Sequence, residues 1–369
     1  MSKPSIALVT AVAARTRDED LPPLESALRN AGADVTIAEW DRPHDWSRFD
    51  IALLRSTWDY PQRLLEFLAW AGAVSRVTKL LNPLPVVKWS SDKHYLRDLE
   101  KKEVPTVLTR FVEPGELPQQ RIAELLSQSD VDEFVVKPAV GAGSRDAQRF
   151  GREEREDAAR HALRMLNEKR SVLLQPYLSR VDEHGETSLI YFEGEFSHAI
   201  RKGALLKRKE GPTTELFAKE AITARVPEPA ELEVGARALR ALPFATPLYA
   251  RVDLIRDQQG ENESQTLHVG EGFDGLRLRS HAPAEGSATR EQRQLGRQAR
   301  GLRNGCTHGR VTDRRRIGAP RVALHVRELE SQSRDAPVGE LRGDRHHGRV
   351  IHACTRAVCE HKASRGCRG

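Results

Sequence analysis

The sequence predicts an α/β protein. An N-terminal parallel-sheet domain spans residues 1–90, antiparallel strand pairs follow to about 275, and a disordered basic tail covers 276–369. Three observations predict it. The first ninety residues alternate short apolar runs with helical stretches, the pattern of parallel strands joined by helices. Later apolar runs come in pairs around short glycine-bearing turns, as antiparallel hairpins do. All twenty Phe, Trp and Tyr residues lie at or before Phe273, so the last 96 residues have none.

Residues 6–11 read as a first buried strand. The apolar run 6–14 resembles a short signal segment, but Arg15, Arg17 and three acids follow it at once, which favours a strand. No apolar stretch reaches membrane-spanning length, so a soluble, cytoplasmic protein is expected. A helix over 21–31 is closed by Gly32, strands follow at 35–38 and 51–54, and a helix over 61–75 opens on Pro61. In such sheets ligands sit beyond the carboxyl ends of the strands. Arg55 and Asp59 stand there, in the loop Arg-Ser-Thr-Trp-Asp-Tyr, and are candidate substrate contacts; Trp58 and Tyr60 merely covering the sheet edge is an equal alternative. After the Asn82-Pro83 turn a helix is expected over 91–101, with 104–106 leading into a strand. Ser90-x-x-Lys93 formally matches a penicillin-enzyme motif, but its Ser-Asp-Asn and Lys-Thr-Gly companions are missing. Lys93 near a helix start opposes the macrodipole and hints at a bound anion.

The most informative stretch is 133–145, Glu-Phe-Val-Val-Lys-Pro-Ala-Val-Gly-Ala-Gly-Ser-Arg. Lys137 ends a strand and directly precedes a turn of small residues, Gly141 to Ser144. A lysine there can point at a polyphosphate while the turn's N–H groups close over it. Neither G-x-x-x-x-G-K-[ST] nor G-x-G-x-x-G occurs in this stretch, so this is a different way of holding a nucleotide. A lid hairpin, 134–136 with 147–150, and a helix over 153–167 surround it. A strand over 171–178 ends in Gln175-Pro176-Tyr177-Leu178. Strands 186–192 and 195–201 form a meander bearing Arg201 and Lys202, and 248–255 carries Arg251 and Asp253 on one face.

In this order and spacing the elements resemble the ATP-grasp ligases, nearest the branch of glutathione synthetase and the ribosomal-protein glutamate ligase. Stretches 55–61, 82–93, 135–144 and 175–202 also resemble cyclo-ligases that form cycloserine from an ureido-serine precursor. The resemblance covers roughly residues 1–275 and implies a lid subdomain over 91–175 and an antiparallel core over 176–275. It implies that Lys93 and Lys137 hold ATP phosphates beneath a lid formed by Gly141, Gly143 and Ser144. It further implies that Gln175, Pro176, Tyr177 and Leu178 read the adenine edge and that Glu183 or Glu186 contacts the ribose. Lys202 or Arg201 would face the γ-phosphate or acyl-phosphate, with Arg251 beside them, and Asp253 would bind Mg²⁺. The implied activity is ATP- and Mg²⁺-dependent carboxylate–amine ligation on a small amino-acid-like substrate through an acyl-phosphate, possible also within one molecule. The oligomeric state stays open, a dimer or tetramer being compatible.

One departure stands out. Where the family carries a second strand with further magnesium carboxylates, the sequence runs from Glu261 to Asp274 without such a pair; Glu271, between glycines, is the nearest substitute. The composition break coincides. Residues 274–369 carry 20 Arg, one Lys and ten acids, net +11, against −5 for the first 273. All four cysteines are there too, and the clustered His346, His347, His352, Cys354, Cys359 and His361 lack a tight zinc spacing. Such a segment cannot offset its chain entropy by burial. Its usage fits a GC-rich frame translated out of phase better than a neutral extension or a nucleic-acid arm, which would also use Lys and stacking aromatics. Resequencing the coding region tests this. Two other functions stay open: an inactive ATP-binding protein with an incomplete metal site, and a nucleic-acid binder using the tail.

Overall fold

The computed structural model describes residues 3–128, 131–212 and 221–256, with the backbone of 267–269. Glu271, the composition break and the tail lie outside the described residues.

The first sheet is parallel, in the order β2-β1-β3-β4, with β1 Ser5–Thr10, β2 Asp34–Glu39, β3 Ile51–Ser56 and β4 Lys79–Leu81. Helices α1 (Leu21–Asn30) and α2 (Leu64–Val74) connect its strands. Along β1, Ile6 and Leu8 enter one apolar cluster and Ala7 and Val9 another. Both faces are therefore covered, as a parallel sheet requires. Trp40 packs edge-on against Phe67 at 5.3 Å between ring centroids and caps one face. The helix expected from Pro61 begins later. Tyr60–Gln62 forms a 3-10 turn first, and α2 starts at Leu64.

A helix not expected from the sequence, α3 (Leu84–Ser90), comes first, and the helix expected over 91–101 begins only at Tyr95, as α4 (Tyr95–Glu100), with a turn between. Asp92 causes the break, since its carboxylate accepts from the His94 N–H at 3.0 Å and holds the chain in a turn. Lys93 sits in that turn.

The second sheet, β5-β8-β6-β7, is antiparallel: β5 Arg110–Val112, β6 Glu133–Pro138, β7 Gln148–Gly151 and β8 Val172–Pro176. Helices α5 (Pro118–Leu126) and α6 (Arg155–Asn167) cover one face through Ile122, Leu125, Ala162 and Met165. The third sheet follows the short helix α7 (Val181–His184). It comprises β9 Glu186–Phe192, β10 Glu195–Lys202, β11 Ile222–Arg225, β12 Tyr249–Arg256 and β13 Leu267–Val269, in the antiparallel order β11-β10-β9-β12-β13. Helix α8 (Pro229–Arg240) packs beside it through Ala238. Asn82, just past β4, exchanges hydrogen bonds with the Tyr249 backbone at 2.8 and 3.3 Å, stitching the first sheet to the third. No helix among the described residues is long and apolar enough to cross a membrane.

Candidate active site

Strand alternation decides which side chains face the cleft between the second and third sheets. On β6, Phe134 and Val136 enter the core beneath α5 and α6, which turns Val135 and Lys137 the other way, into the cleft. On β12, Ala250, Val252 and Leu254 enter the core beside α8, which leaves Arg251, Asp253 and Ile255 on the opposite face. Register adds their neighbours: Asp253 is opposite Ser188, and Lys202 is opposite Glu186. The cleft is about 190 Å³ and is lined by both lysines, the glycine loop, Gln175 to Leu178, Glu186, Lys202 and Arg251.

Lys93 reaches the same space from another part of the chain. Its backbone N–H donates to Ala139 O at 3.0 Å, and its ammonium donates to Gly141 O at 2.8 Å. Gly141 cannot carry a side chain without crowding, because a Cβ would stand 3.0 Å from Pro138 Cγ and 3.6 Å from the Lys93 ammonium. Gly143 has φ +66, a region glycine adopts freely. Two distant lysines and a small-residue loop thus share one cavity.

At its floor, Asp253 is buried, 1% exposed. Arg251 holds it with a fork, Nε to Oδ1 at 2.8 Å and Nη2 to Oδ2 at 2.7 Å, and Lys202 adds a bond at 2.9 Å. Burial alone would raise this carboxyl; Arg251 and then Lys202 outweigh it and hold it well below the usual carboxylate range. Lys202 also pairs with Glu186. Burial pushes the Glu186 carboxyl up to about 7, with Lys202 opposing and Asp253 adding to the rise.

Among the described residues no group of three or more His, Cys, Asp or Glu could hold a metal. Asp253 and Glu186 are nonetheless two hard oxygen donors that meet at one ammonium. Mg²⁺ is commonly held by one or two carboxylates plus substrate phosphates, so these two fit a nucleotide-bound ion.

Four residues named from sequence are placed elsewhere. Arg201, next to Lys202, points to the opposite side, and its guanidinium holds the carbonyls of His184 and Glu183. Glu183 is exposed and does not line the cleft. Arg55 is buried, its side chain 1% exposed, in ion pairs with Asp18 at 2.7 Å and Asp20 at 3.2 Å. Asp59 accepts the Trp40 indole N–H at 2.9 Å. The last two therefore brace the first sheet's loops. Within the adenine-side segment, Gln175 donates its amide to Thr109 at 2.7 Å, and the Tyr177 N–H donates to Glu133 O at 2.8 Å. Pro176 has no N–H to offer, and the Leu178 carbonyl accepts from the Val181 N–H at 3.0 Å. Sequence reasoning missed Val107, Val135 and the strip Ala204 to Leu206, all lining the cleft. The apolar run directly after Lys202 was the available signal for the strip; Val107 carried none.

Beside Lys93, His94 bridges Asp92 at 2.6 Å and Glu113 at 2.9 Å and stacks on Phe111 at 4.2 Å. The Asp92 hydrogen bond chiefly raises the imidazole pKa, burial opposes, and Glu113 adds to the rise. A raised folded pKa gives stability that is full below the unfolded value of about 6.5 and is lost as pH rises through the folded value. The thermal midpoint of wild type minus that of His94→Gln is therefore expected to shrink from pH 6 to pH 9. A constant difference would contradict the bridge.

Comparison with known proteins places this geometry among relatives. Residues 6–82 match the family described as the N-terminal domain of D-cycloserine synthetase DcsG. The chain is 41% identical over 262 residues to the cycloserine biosynthesis protein DcsG of Streptomyces lavendulae, covering 69% of this chain and 87% of that protein. The crystal structure of D-cycloserine synthetase DcsG superposes with a TM-score of 0.64 at 38% identity, over 72% of this chain and 91% of that one. D-alanine–D-alanine ligase from Bacillus anthracis superposes at 0.53 with 15% identity, over 74% and 86%, which is a likeness of fold.

Proposed function

The chain belongs to the DcsG family of ATP-grasp ligases, and from that premise we propose that it is an intramolecular cyclo-ligase acting on a small amino-acid-like substrate. The substrate carboxylate attacks the γ-phosphorus of ATP, the bond to ADP breaks, and an acyl-phosphate forms. A nitrogen of the same molecule then attacks the acyl carbon, phosphate leaves with the bonding electrons, and the nitrogen loses a proton as the ring closes. An ureido-serine is the substrate class the reading favours.

The observation that carries this reading is the meeting of Lys93, Lys137, Lys202 and Arg251 in one cleft. Joining a carboxylate to a triphosphate brings anions together, and fixed cations in a low-dielectric site offset the repulsion. Asp253 orients two of those cations: its oxygens hold Arg251 and Lys202 in place, so neither must reorganise as charge develops. The Gly141–Ser144 loop, closing over the phosphates, excludes the water that would hydrolyse an acyl-phosphate. Bound at Asp253 and Glu186, Mg²⁺ would supply further neutralisation of phosphate charge.

The test mixes the protein with ATP, Mg²⁺ and O-ureido-serine and follows ADP release with mass analysis of the product. The expected result is substrate-dependent ADP release together with a cyclic product, with no added amine. A requirement for a second amine would contradict the cyclo-ligase; ATP binding without substrate-dependent turnover would leave an inactive nucleotide binder.

A further inference from the structure

Resting on the nucleotide reading of the cleft, we propose that Asp146 is a positioning residue that sets the phosphate loop. It neither lines the cleft nor belongs to the glycine turn, yet it is 9% exposed and gripped from three directions. Arg164 of α6 donates to Oδ1 at 2.8 Å, and Arg170, just past α6, donates to Oδ2 at 2.8 Å. His161, also on α6, meets the Asp146 backbone carbonyl at 2.9 Å. The other root of the loop is pinned as well: Ala139 N donates to Ser171 O at 2.8 Å, and Ala139 O accepts from Lys93 N at 3.0 Å.

Between the roots the backbone is left-handed at Gly143, Ser144 and Asp146, with φ of +66, +60 and +60. Side chains disfavour that region, Asp less than most, so a Ser and an Asp two positions apart in it are held there by their surroundings. The Arg164–Asp146–Arg170 clamp supplies that determination. It fixes the reversal after Gly143 and Ser144, which line the cleft in the same loop whose Gly141 carbonyl accepts from the Lys93 ammonium. Loss of the clamp frees the loop to point its N–H groups elsewhere, at a cost in ATP affinity rather than in the chemical step.

Asp146→Asn separates these roles, because asparagine tolerates left-handed backbone and keeps one acceptor while losing the charge. The expected result is a KM for ATP raised about tenfold, with kcat at saturating ATP within about twofold of wild type. Arg170→Gln is expected to act alike, and the double variant to be no worse than either single one, since both break the same clamp. A merely structural role would lower the thermal midpoint and leave the KM for ATP unchanged in the folded fraction; that outcome overturns the proposal. Equal losses in kcat and kcat/KM overturn it too. Failure of the wild type to bind ATP sinks the nucleotide reading and this proposal with it, whereas normal wild-type binding with an unaffected Asp146→Asn sinks this proposal alone.

Discussion

Replacing Asp253 with asparagine is expected to abolish measurable ADP release and to destabilise the fold by about 3 kcal/mol. The side chain is 1% exposed and compensates two cations, Arg251 and Lys202, at 2.7 to 2.9 Å. Asparagine keeps the shape but removes the charge, so buried Arg251 and Lys202 both lose this carboxylate, and Lys202 keeps its pairing with Glu186. Taking one partner from a buried ionic cluster costs far more than a surface pair, because the desolvation of the remaining charges is no longer offset. Function suffers because the cations lose their fixed orientation. Urea denaturation and ADP release measure the two effects separately. Turnover within twofold of wild type would contradict the assignment. The pH dependence has a definite sign. Because the folded Asp253 pKa is depressed, its contribution is present above the unfolded carboxylate value of about 3.9 and fades only as pH falls through the lower folded value.

Lys93→Ala and Lys137→Ala are each expected to weaken ATP binding about fiftyfold, the scale of a lost charge-assisted contact to phosphate. Lys93 also donates to Gly141 O, so its removal loosens the loop as well and its effect is the larger of the two. The double variant should lose less than the product of the single losses, since both ammonium groups act on one ligand. Equilibrium titration with ATP at fixed ionic strength measures all three. Wild-type affinity in either single variant would remove that lysine from the site.

Much of this cleft was legible before any fold was known, because strand parity is a local property. On β12, Arg251 and Asp253 alternate with Ala250, Val252 and Leu254, so its polar face could be read directly, whereas β6 is apolar over 134–136 and shows its cleft face only at Lys137. Arg201 and Lys202 could not be separated that way. They are adjacent on β10, and only its pairing with β9, Lys202 opposite Glu186, decides which one faces the cleft. Arg55 looked like a ligand contact because it follows a parallel strand. Its partners, Asp18 and Asp20, lie 37 and 35 residues earlier, a separation that no local pattern reveals. The turn at 91–94 was legible in principle, since Ser-Asp sequences favour local side-chain bonds over helix. The fold class followed from longer-range alternation and agrees with the DcsG and ATP-grasp structures.

The most direct test of the central claim labels the substrate carboxylate of O-ureido-serine with ¹⁸O and follows the label through one round of ATP turnover. Activation as an acyl-phosphate transfers one labelled oxygen to the released inorganic phosphate, and that is the predicted mass. Unlabelled phosphate accompanying product would show that the carboxylate never bonded to phosphorus, and the account of this cleft as a carboxylate-activating site would be wrong.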